Sequence, residues 1–350
     1  MLIYSLIFKL MSTLVTATLP AHRFCTAPMI DWTDRHCRYF FRLFSKNMQI
    51  YTEMVTTGAL LYGDTEHFLA FNAAEHPLVL QLGGSDINDL AQCTQLAAEY
   101  GYNEVNLNLG CPSPRVQKGR FGACLMAEPQ HVSECLQAMQ AASDLPISLK
   151  CRLGIDSLDS EAFLMDFLGN IDEAGCHHWI IHARIALLNG LSPKENRTIP
   201  PLIYERVHQA KRNFPQSTII INGGFTDLSL AYEQLEHVDG VMLGRAAYQN
   251  PKILAAVDSL FYQDLPDHTT QNWQPQALNI AYQFGEYLES LTKQDKSNQE
   301  IKRAIRHTLG LMNGLKGAKQ WRRYLSESLG ATENPLGLWY KSLKPFESTL

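Results

Sequence analysis

A cysteine and two asparagines stand close together in a segment with the pattern of a strand end. Glu104–Asn108 alternates polar and apolar residues, as a strand with two unlike faces does. The alternation stops at Gly110 and Pro112, residue types that end strands. Cys111 therefore lies at the lip of a predicted strand, where a rigid scaffold can present its thiol beside amides that donate and accept hydrogen bonds.

A purely structural explanation competes with this one. Cysteine is among the most buried residue types and usually packs as a small hydrophobe. The chain has eight cysteines, and an arbitrary one of them is more often core than functional. The two asparagines before Cys111, together with the glycine and proline beside it, favour a functional site at this position.

Eight short apolar or alternating segments are predicted to be strands, with helical patterns between them. The predicted strands are Arg23–Ala27, Gln49–Glu53, Leu78–Gln81, Glu104–Asn108, Ile147–Lys150, Trp179–His182, Thr218–Asn222 and Gly240–Leu243. The predicted helices include Asp86–Tyr100, Pro129–Ala142, Ser160–Ala174 and Pro201–Asn213. This alternation predicts an α/β fold, a (β/α)8 TIM barrel over residues 23–262. The rival, an open doubly wound sheet, normally carries a Gly-x-Gly-x-x-Gly turn after its first strand, and none occurs there.

Polar and glycine residues gather at the carboxyl ends of these strands, the face on which such barrels build active sites. The strand ends are Ala27-Pro28-Met29, Glu53, Gln81, Asn108 with Cys111, Lys150 with Arg152, His182 with Arg184, Asn222-Gly223-Gly224 and Gly244-Arg245. Taken singly, each is explained as a cap or turn residue, and we favour that explanation for Asn222 or Gln81 alone. Taken together, they predict a site.

The last two strand ends predict a phosphate site. Paired glycines such as Gly223-Gly224 let backbone N–H groups approach an anion. Barrels commonly bind phosphate at the loops after strands seven and eight, and Arg245 adds a charge-assisted contact there. A phosphorylated ligand or cofactor is therefore expected, with ordinary turn glycines as the alternative.

The composition is that of a globular protein with a core: 350 residues, 45% hydrophobic and 19% charged. The net charge of −5 argues against a protein that coats nucleic acid indiscriminately, but it permits a local basic face. The cysteines form no Cys-x-x-Cys pair, so no zinc ribbon or thioredoxin-type motif is indicated and no metal site is predicted. A disulfide framework is not expected in so long a chain, which favours the reducing cytoplasm.

Residues 1–22 are predicted to be an N-terminal extension, either disordered or in part an incorrect start. Its apolar segment Met1–Leu10 is too short to span a bilayer, and the only positive charge, Lys9, follows the apolar run. We therefore expect no membrane association, and we hypothesise that translation starts at Met11.

The end of the chain is predicted to be a smaller, all-helical domain, residues 275–350. The stretch from Pro251 to about Gln274 is predicted to be a connection, with the linker between the two domains at 263–274. This linker has a polar composition, given by Asp264, Pro266, Asp267, His268, Thr269 and Thr270. Apolar residues at three- and four-residue spacing mark its first helix: Ala277, Ile280, Phe284, Leu288 and Leu291. Further helical patterns cover Ile301–Leu315 and about Trp321–Leu329.

Seven basic residues and no acidic residue lie between positions 302 and 323 of this helical region. They are Lys302, Arg303, Arg306, Lys316, Lys319, Arg322 and Arg323. A charge run is usually a solvated helix face, and most of these residues can be only that. A basic face attached to an acidic domain is also what docking to RNA requires.

The strand-end motifs resemble those of the tRNA-dihydrouridine synthases. The matching pieces are Ala27-Pro28-Met29, Gln81-Leu82, Asn106 to Ser113, Gly122 to Met126, Leu149 to Gly154, His182-Ala183-Arg184, Asn222-Gly223-Gly224 and Gly244-Arg245. A further run, Gly190 to Arg197 followed by Pro200-Pro201-Leu202, resembles the bacterial DusA subfamily. The resemblance spans about Arg23 to Leu325, and its motifs occur in order.

This resemblance implies an FMN-containing barrel with a helical tRNA-binding domain. Such an enzyme reduces uridines in the tRNA D-loop, at positions 20 and 20a in this subfamily, with electrons from NADPH. Tight nicotinamide binding is not required, which agrees with the missing dinucleotide motif. No stable protein partner is predicted.

The resemblance also assigns roles, residue by residue. The implied FMN contacts are Ala27, Pro28, Met29, Gln81, Lys150, His182, Asn222, Gly223, Gly224, Gly244 and Arg245. The implied tRNA contacts are Asn108, Arg184, Lys194, Arg197, Lys319 and Arg322, although the family usually has Arg at the position of Lys319. Cys111 matches the proton donor.

The implied reaction transfers hydride from flavin N5 to C6 of uracil and a proton to C5. An ordinary cysteine has a pKa of about 8.5 and is mostly protonated at neutral pH, so Cys111 suits the role of acid. Lys150 is expected to stabilise negative charge and His182 to hydrogen-bond the flavin ring.

Three alternatives stay open at this stage. An FMN-dependent small-molecule dehydrogenase of the dihydroorotate or pyrimidine type shares the barrel and the cofactor but does not need the helical domain. A Schiff-base lyase would use Lys150 as an amine nucleophile. A catalytically silent RNA-binding protein is disfavoured by Cys111 and its intact flanks.

Overall fold

The structure is a computed structural model that describes residues 19–263 and 272–347. Its eight strands form a closed parallel barrel in chain order, because each strand pairs with the next and β1 pairs with β8. The strands are β1 (Phe24–Thr26), β2 (Gln49–Thr56), β3 (Leu78–Gly83), β4 (Glu104–Leu109), β5 (Ile147–Arg152), β6 (His178–His182), β7 (Thr218–Asn222) and β8 (Gly240–Leu243). The predicted (β/α)8 barrel is confirmed, and every predicted strand overlaps an observed one.

Helices connect the strands and follow the barrel. Those from β1 to the end of the barrel are α1 (Arg35–Arg42), α2 (Thr57–Tyr62), α3 (Thr65–Leu69), α4 (Ile87–Tyr100), α5 (Pro114–Lys118), α6 (Pro129–Ala142), α7 (Glu161–Glu173), α8 (Tyr204–Asn213), α9 (Leu228–Glu233), α10 (Arg245–Gln249) and α11 (Val257–Tyr262). The C-terminal helices are α12 (Trp273–Lys293), α13 (Asn298–Arg306), α14 (Ala318–Ser328) and α15 (Pro335–Glu347). None of the helices in the described residues is long and apolar enough to cross a membrane.

The ends of the predicted barrel helices differ from the observed ones for local reasons. Asp86 and Ser160 precede α4 and α7 as N-caps, because their side chains accept backbone N–H bonds from the first turn. The helix predicted from Pro201 begins only at Tyr204, since the N–H of Ile203 donates to Ala183 O at 2.9 Å and is held at the end of β6. The bounds predicted for α6 agree with the structure.

The two faces of β4 explain its alternating sequence. Val105, Leu107 and Leu109 belong to the large core between strands and helices. The residues between them point into the barrel, where Asn106 stands opposite Gln81 of β3 and Ser148 of β5 in the strand register. A smaller apolar cluster fills the rest of the interior: Cys25, Ala27, Tyr51, Val79, Ile180, Ile220 and Met242. One sector of the barrel interior is therefore polar.

The stretch from Pro251 to about Gln274 was predicted to be a connection, and this prediction is wrong for residues 251–262, which are helical. A 3₁₀ helix at Pro251–Ala256 leads into α11, which packs on β1. The Phe261 and Phe24 rings lie 4.9 Å apart, and the Tyr262 hydroxyl accepts from the N–H of Phe24 at 3.1 Å. Most of the predicted linker, residues 264–271, lies outside the described residues, as do Met1–Leu10 and Met11.

The first C-terminal helix follows its predicted pattern but begins earlier than Pro275, at Trp273, with Asn272 as its N-cap. The five residues of its predicted apolar face are all buried: Ala277, Ile280, Phe284, Leu288 and Leu291. Tyr287 of this helix stacks on Tyr39 of α1 at 4.0 Å, which attaches the C-terminal helices to the barrel.

The second C-terminal helix was predicted to run from Ile301 to Leu315, and the structure contradicts its length. Helix α13 ends at Arg306, and turns follow up to α14. Gly314 and Gly317 have φ values of +85° and +91°, which a helix does not contain. At Gly310, a Cβ atom would stand 2.6 Å from Pro251 Cδ, so the turn packs closely on the barrel.

The last helix, α15, was not predicted from the sequence. Trp339 lies at its centre, fully buried, with its indole N–H donating to Ala281 O at 3.2 Å. Its apolar spacing was available as a signal, but Pro345 within the last turn argues against a helix in sequence terms. The helix that was predicted around Trp321–Leu329 is observed as α14.

Candidate active site

A cavity of about 660 Å³ opens at the carboxyl ends of the barrel strands. All the residues predicted to contact a cofactor line it: Ala27, Pro28, Met29, Gln81, Lys150, His182, Asn222, Gly223, Gly224, Gly244 and Arg245. Cys111, Asn108 and Arg197 line it as well. The structure therefore brings the predicted strand-end residues together, with two exceptions: Glu53 and Arg184 do not line this cavity.

The loop that carries Cys111 is held from both sides. The side-chain oxygen of Asn108 accepts from the N–H of Gly110 at 3.2 Å and from the N–H of Cys111 at 3.0 Å. On the other side, Cys111 O accepts from the N–H of Ala123 at 3.0 Å. Gly122, at φ +74°, allows this closure, because a Cβ there would lie 2.7 Å from Cys111 O. The thiol is thus presented by a fixed loop.

Arg152 adds a third restraint, and sequence reasoning gave it no role. Its guanidinium donates to Gly110 O at 3.1 Å, to Asn196 O at 2.9 Å and to Ile185 O at 3.3 Å. The side chain is buried, and burial lowers its pKa to about 10, so it stays charged at neutral pH. It joins the Cys111 loop to the segment after β6.

Lys150 and His182 lie in a cavity wall that disfavours positive charge. Burial, and then the charge of Arg152, lowers the pKa of Lys150 to about 7. Burial also holds the pKa of His182 well below its ordinary value, with Arg152 and Lys150 adding to the effect, so the imidazole is neutral at neutral pH. An anion in the cavity would favour the charged form of Lys150.

The turn after β7 depends on its glycines. Gly223 and Gly224 have φ values of +122° and +78°, and a Cβ on Gly224 would stand 2.4 Å from Leu202 Cδ1. The Tyr204 hydroxyl donates to Gly223 O at 2.7 Å, and Asn222 donates to Met242 O at 2.7 Å. Gly223 and Gly224 therefore let the backbone follow the cavity wall where a larger residue would not fit.

Residues 25–343 match the family model described as Dihydrouridine synthase (Dus). The chain belongs to the dihydrouridine synthase family. It is 53% identical to the tRNA-dihydrouridine(20/20a) synthase of Salmonella typhimurium over 315 residues, which covers 89% of this chain and 92% of the relative. It is 52% identical to the protein of the same name from Shewanella oneidensis, with coverage of 92% and 94%.

Solved structures of low sequence identity share this fold. TcOYE in complex with pHBA aligns with a TM-score of 0.51 at 14% identity, over 68% of this chain and 88% of that one. The old yellow enzyme homologue from Zymomonas mobilis aligns with a TM-score of 0.50 at 12% identity, over 70% and 93%. At such identity the likeness supports the fold of this dihydrouridine synthase family member and nothing finer.

The remaining predicted tRNA contacts of this family member lie away from the cavity. The Arg184 guanidinium donates a hydrogen bond to Pro200 O, and Lys194 is exposed on the loop after β6. Lys319 and Arg322 lie on α14, outside the barrel. Arg322 is linked to the cavity rim through Asn313. Its guanidinium donates to the side-chain oxygen of Asn313, and the Asn313 amide donates to Gln249 O at 2.9 Å.

The loop after β1 contributes cavity residues that sequence reasoning missed. Ile30 and Trp32 line the cavity next to the predicted Met29. The Trp32 indole stacks on Tyr248 with ring centroids 4.2 Å apart, and the Tyr248 hydroxyl lies 3.1 Å from His307 Nδ1. The available signal was Trp32 itself, an aromatic residue shortly after the predicted strand-end motif Ala27-Pro28-Met29.

Proposed function

We propose that this protein reduces uridine to 5,6-dihydrouridine in the D-loop of tRNA, at positions 20 and 20a, with FMN as resident cofactor and NADPH as electron donor. The main support for this proposal is that Cys111, Lys150 and His182 line one cavity in a chain of this family. The names of its curated relatives supply the substrate and the two positions. A tRNA substrate agrees with action in the cytoplasm.

The residues around the cavity fit FMN. His182 Nδ1 is buried and has no hydrogen-bond partner among the described residues, so a ligand atom is its available partner. The left-handed glycines after β7 leave room beside His182 that a Cβ would fill. Arg245 and the same glycines suit the phosphate, while Gln81 and Lys150 suit the ring.

When bound, FMN would supply hydride chemistry at C6 of uracil, held by the cavity residues described above. Cys111 holds the proton for C5, and its loop is fixed by Asn108, Ala123 and Arg152. Lys150 can take up positive charge near neutral pH and stabilise negative charge that develops in the cavity. The neutral imidazole of His182 can accept or donate at its free nitrogen.

The tRNA must present its uridine outside the folded RNA, at a cost of roughly a few kcal/mol that protein contacts offset. We assign these contacts to Asn108 and Arg197 at the cavity, Arg184 and Lys194 near it, and Lys319 and Arg322 on α14. Residues 275–350 would then be the tRNA-binding domain. The link from Arg322 through Asn313 to Gln249 supports this assignment, because it ties a basic helix to the cavity rim.

One observation favours a second candidate, a Schiff-base lyase. The pKa of Lys150, about 7, is that of an amine that can act as a nucleophile at neutral pH. The family membership and the orphan His182 nitrogen do not call for such chemistry, so we rank it second.

The two candidates and the small-molecule dehydrogenase are separated by one set of assays on the purified protein. We expect the purified protein to be yellow and to release FMN on denaturation. With NADPH it should reduce uridine in unmodified tRNA to dihydrouridine, and it should not reduce free uridine. Turnover of free uridine or uracil would favour the dehydrogenase. Colourless protein whose Lys150 is trapped by borohydride with a carbonyl compound would favour the lyase.

A further inference from the structure

The polar sector of the barrel interior contains a continuous chain of side-chain hydrogen bonds beneath the Cys111 loop. Asn108 donates to Gln81 at 2.8 Å, and Gln81 donates to Asn106 at 2.8 Å. Asn106 donates to the hydroxyl of Ser148 at 2.8 Å, and Ser148 donates to Glu104. We call these five residues, Asn108, Gln81, Asn106, Ser148 and Glu104, the interior chain.

The interior chain is buried where barrels of this type are normally filled by branched apolar side chains. Asn106 and Ser148 are 0% exposed, Gln81 is 1% exposed and Glu104 is 5% exposed. Burying so many polar groups is unfavourable unless each finds a partner, and here each does. Packing of the barrel alone does not require such residues.

All the bonds of the interior chain run in one direction, and both of its ends fix that direction. An ionised carboxylate only accepts, so Ser148 must donate to Glu104, and the amides above must each donate downward. At the upper end, the Asn108 oxygen faces the N–H groups of Gly110 and Cys111, which only donate. Reversing the chain would set donor against donor at the Cys111 loop and acceptor against acceptor at Glu104.

Glu104 is suited to this terminal position. Burial alone would raise its pKa, but His178 and the bonds from Ser148 and Gln49 outweigh burial and hold the pKa below its ordinary value. The nearest Glu104 oxygen lies 2.9 Å from the Gln49 amide nitrogen and 3.4 Å from His178 Nδ1. Glu104 therefore stays ionised at neutral pH.

We propose that Glu104, Ser148 and Asn106 are positioning residues for the reaction: through the interior chain they hold the Cys111 loop and fix the amide orientations of Gln81 and Asn108. This inference rests on the proposed function. None of the three positioning residues lines the cavity, so each acts through Gln81 and Asn108, which do.

The fixed orientation decides what the cavity presents to a ligand. Each amide nitrogen has two N–H groups, and the interior chain uses one of them. In the described part of the chain, neither the Gln81 nor the Asn108 nitrogen has a second acceptor. The second N–H of each is thus a donor available to a carbonyl of the cofactor or of uracil, at residues that would otherwise be free to rotate and present an oxygen.

The test compares Ser148→Ala, which cuts the interior chain, with Ser148→Thr, which keeps the hydroxyl. We expect Ser148→Ala to weaken FMN binding to the flavin-free protein roughly three- to tenfold, the range of one hydrogen bond, and to shift the absorption bands of bound flavin. With tRNA, kcat falls by a similar factor while the KM for tRNA is unchanged. Ser148→Thr should restore FMN affinity, the flavin absorption bands and kcat to the wild-type values.

Ser133→Ala is the matched control, because its hydroxyl is also buried and bonds Asn170 O at 3.1 Å, but on α6. It should leave FMN affinity, flavin absorption and kcat unchanged. Glu104→Gln is the second variant: it keeps the shape, removes the charge and should move the same quantities in the same direction by a smaller factor. It carries the test if Ser148→Ala does not fold.

The outcomes separate this inference from the proposed function. Wild-type protein that binds FMN and reduces tRNA, with variants that match it in FMN affinity, absorption and kcat, overturns the positioning role alone. Equal losses in Ser148→Ala and Ser133→Ala would also overturn it, since a general loss of stability would then explain them. Wild-type protein that binds no flavin overturns the proposed function and this inference with it.

Discussion

Cys111 and Cys124 are partly exposed, whereas the other six cysteines are buried, and all eight lie in the described residues. Of these two, only Cys111 lines the cavity. Comparing variants at these two positions therefore distinguishes proton donation in the cavity from reactions of any accessible thiol. We expect Cys111→Ala to lower tRNA reduction roughly 10²- to 10⁴-fold, the usual contribution of a general acid. FMN content and flavin reduction by NADPH should stay normal, since neither needs this proton.

Cys124→Ala is the control for this prediction, measured in the same stopped-flow assays of the two half-reactions. Wild-type rates are expected, because Cys124 lies outside the cavity. If Cys111→Ala reduced tRNA at the wild-type rate, another group would have to supply the proton.

Lys150 gives a second prediction at the residue scale, on stability. Its folded pKa of about 7 lies below the ordinary value of 10.5, so the unfolded chain binds more protons between these two pH values. Stability of the flavin-free protein therefore rises as the pH increases from 7 towards 10.5. Lys150→Met should raise the free energy of unfolding at pH 7 by roughly 1–4 kcal/mol and remove this part of the pH dependence.

Urea unfolding at pH 7 and pH 9 measures this effect, with the exposed Lys194→Met as control. The same Lys150 variant should lose activity, because it can no longer place positive charge in the cavity. A Lys150 variant that is less stable than wild type at pH 7 would contradict the lowered pKa.

At the scale of elements, the strand ends were predictable from sequence because each combines an apolar run with a polar or glycine stop. The polar interior of β4 was visible in the same way, as an alternation. The contacts of Arg152 and Trp32 were not, because their partners Asn196 and Tyr248 come from segments far along the chain. Helix α15 was missed for a local reason, Pro345, which its tertiary packing tolerates.

The turn after β7 carries a prediction at this scale. Gly224→Ala places a Cβ atom on a residue with φ +78°, where it would clash with Leu202. We therefore expect the variant to lose roughly 1–3 kcal/mol of stability and to lose FMN binding. Gly101→Ala is matched to it, since Gly101 has φ +87° but nothing within 4 Å of the added carbon.

Gly101→Ala should cost roughly 1–2 kcal/mol and leave FMN affinity at the wild-type value, as measured by fluorescence titration. Equal FMN affinities for the Gly101 and Gly224 variants would show that the turn does not belong to the cofactor site.

At the scale of the whole molecule, the proposed function requires the C-terminal helices to hold tRNA while the barrel performs the chemistry. Lys319→Glu combined with Arg322→Glu should lower tRNA affinity at low salt roughly tenfold or more, because two phosphate contacts become repulsive. FMN content should not change. The matched control is Lys341→Glu with Lys344→Glu, two exposed lysines of α15, which gives the same change in net charge.

Filter binding at several salt concentrations distinguishes the two pairs. The α14 pair should reduce the salt dependence of binding, whereas the α15 pair should behave as wild type. If both pairs of substitutions lowered tRNA affinity equally, the change in net charge would explain the loss. Lys319 and Arg322 would then not be tRNA contacts.

The most direct test of the central claim is base-by-base mapping of dihydrouridine in tRNA from cells that carry or lack this gene. We expect the deletion to remove dihydrouridine at positions 20 and 20a only, and the wild-type gene, but not Cys111→Ala, to restore it. Unchanged dihydrouridine at both positions in the deletion strain, with no other dihydrouridine synthase gene present to replace it, would contradict the account.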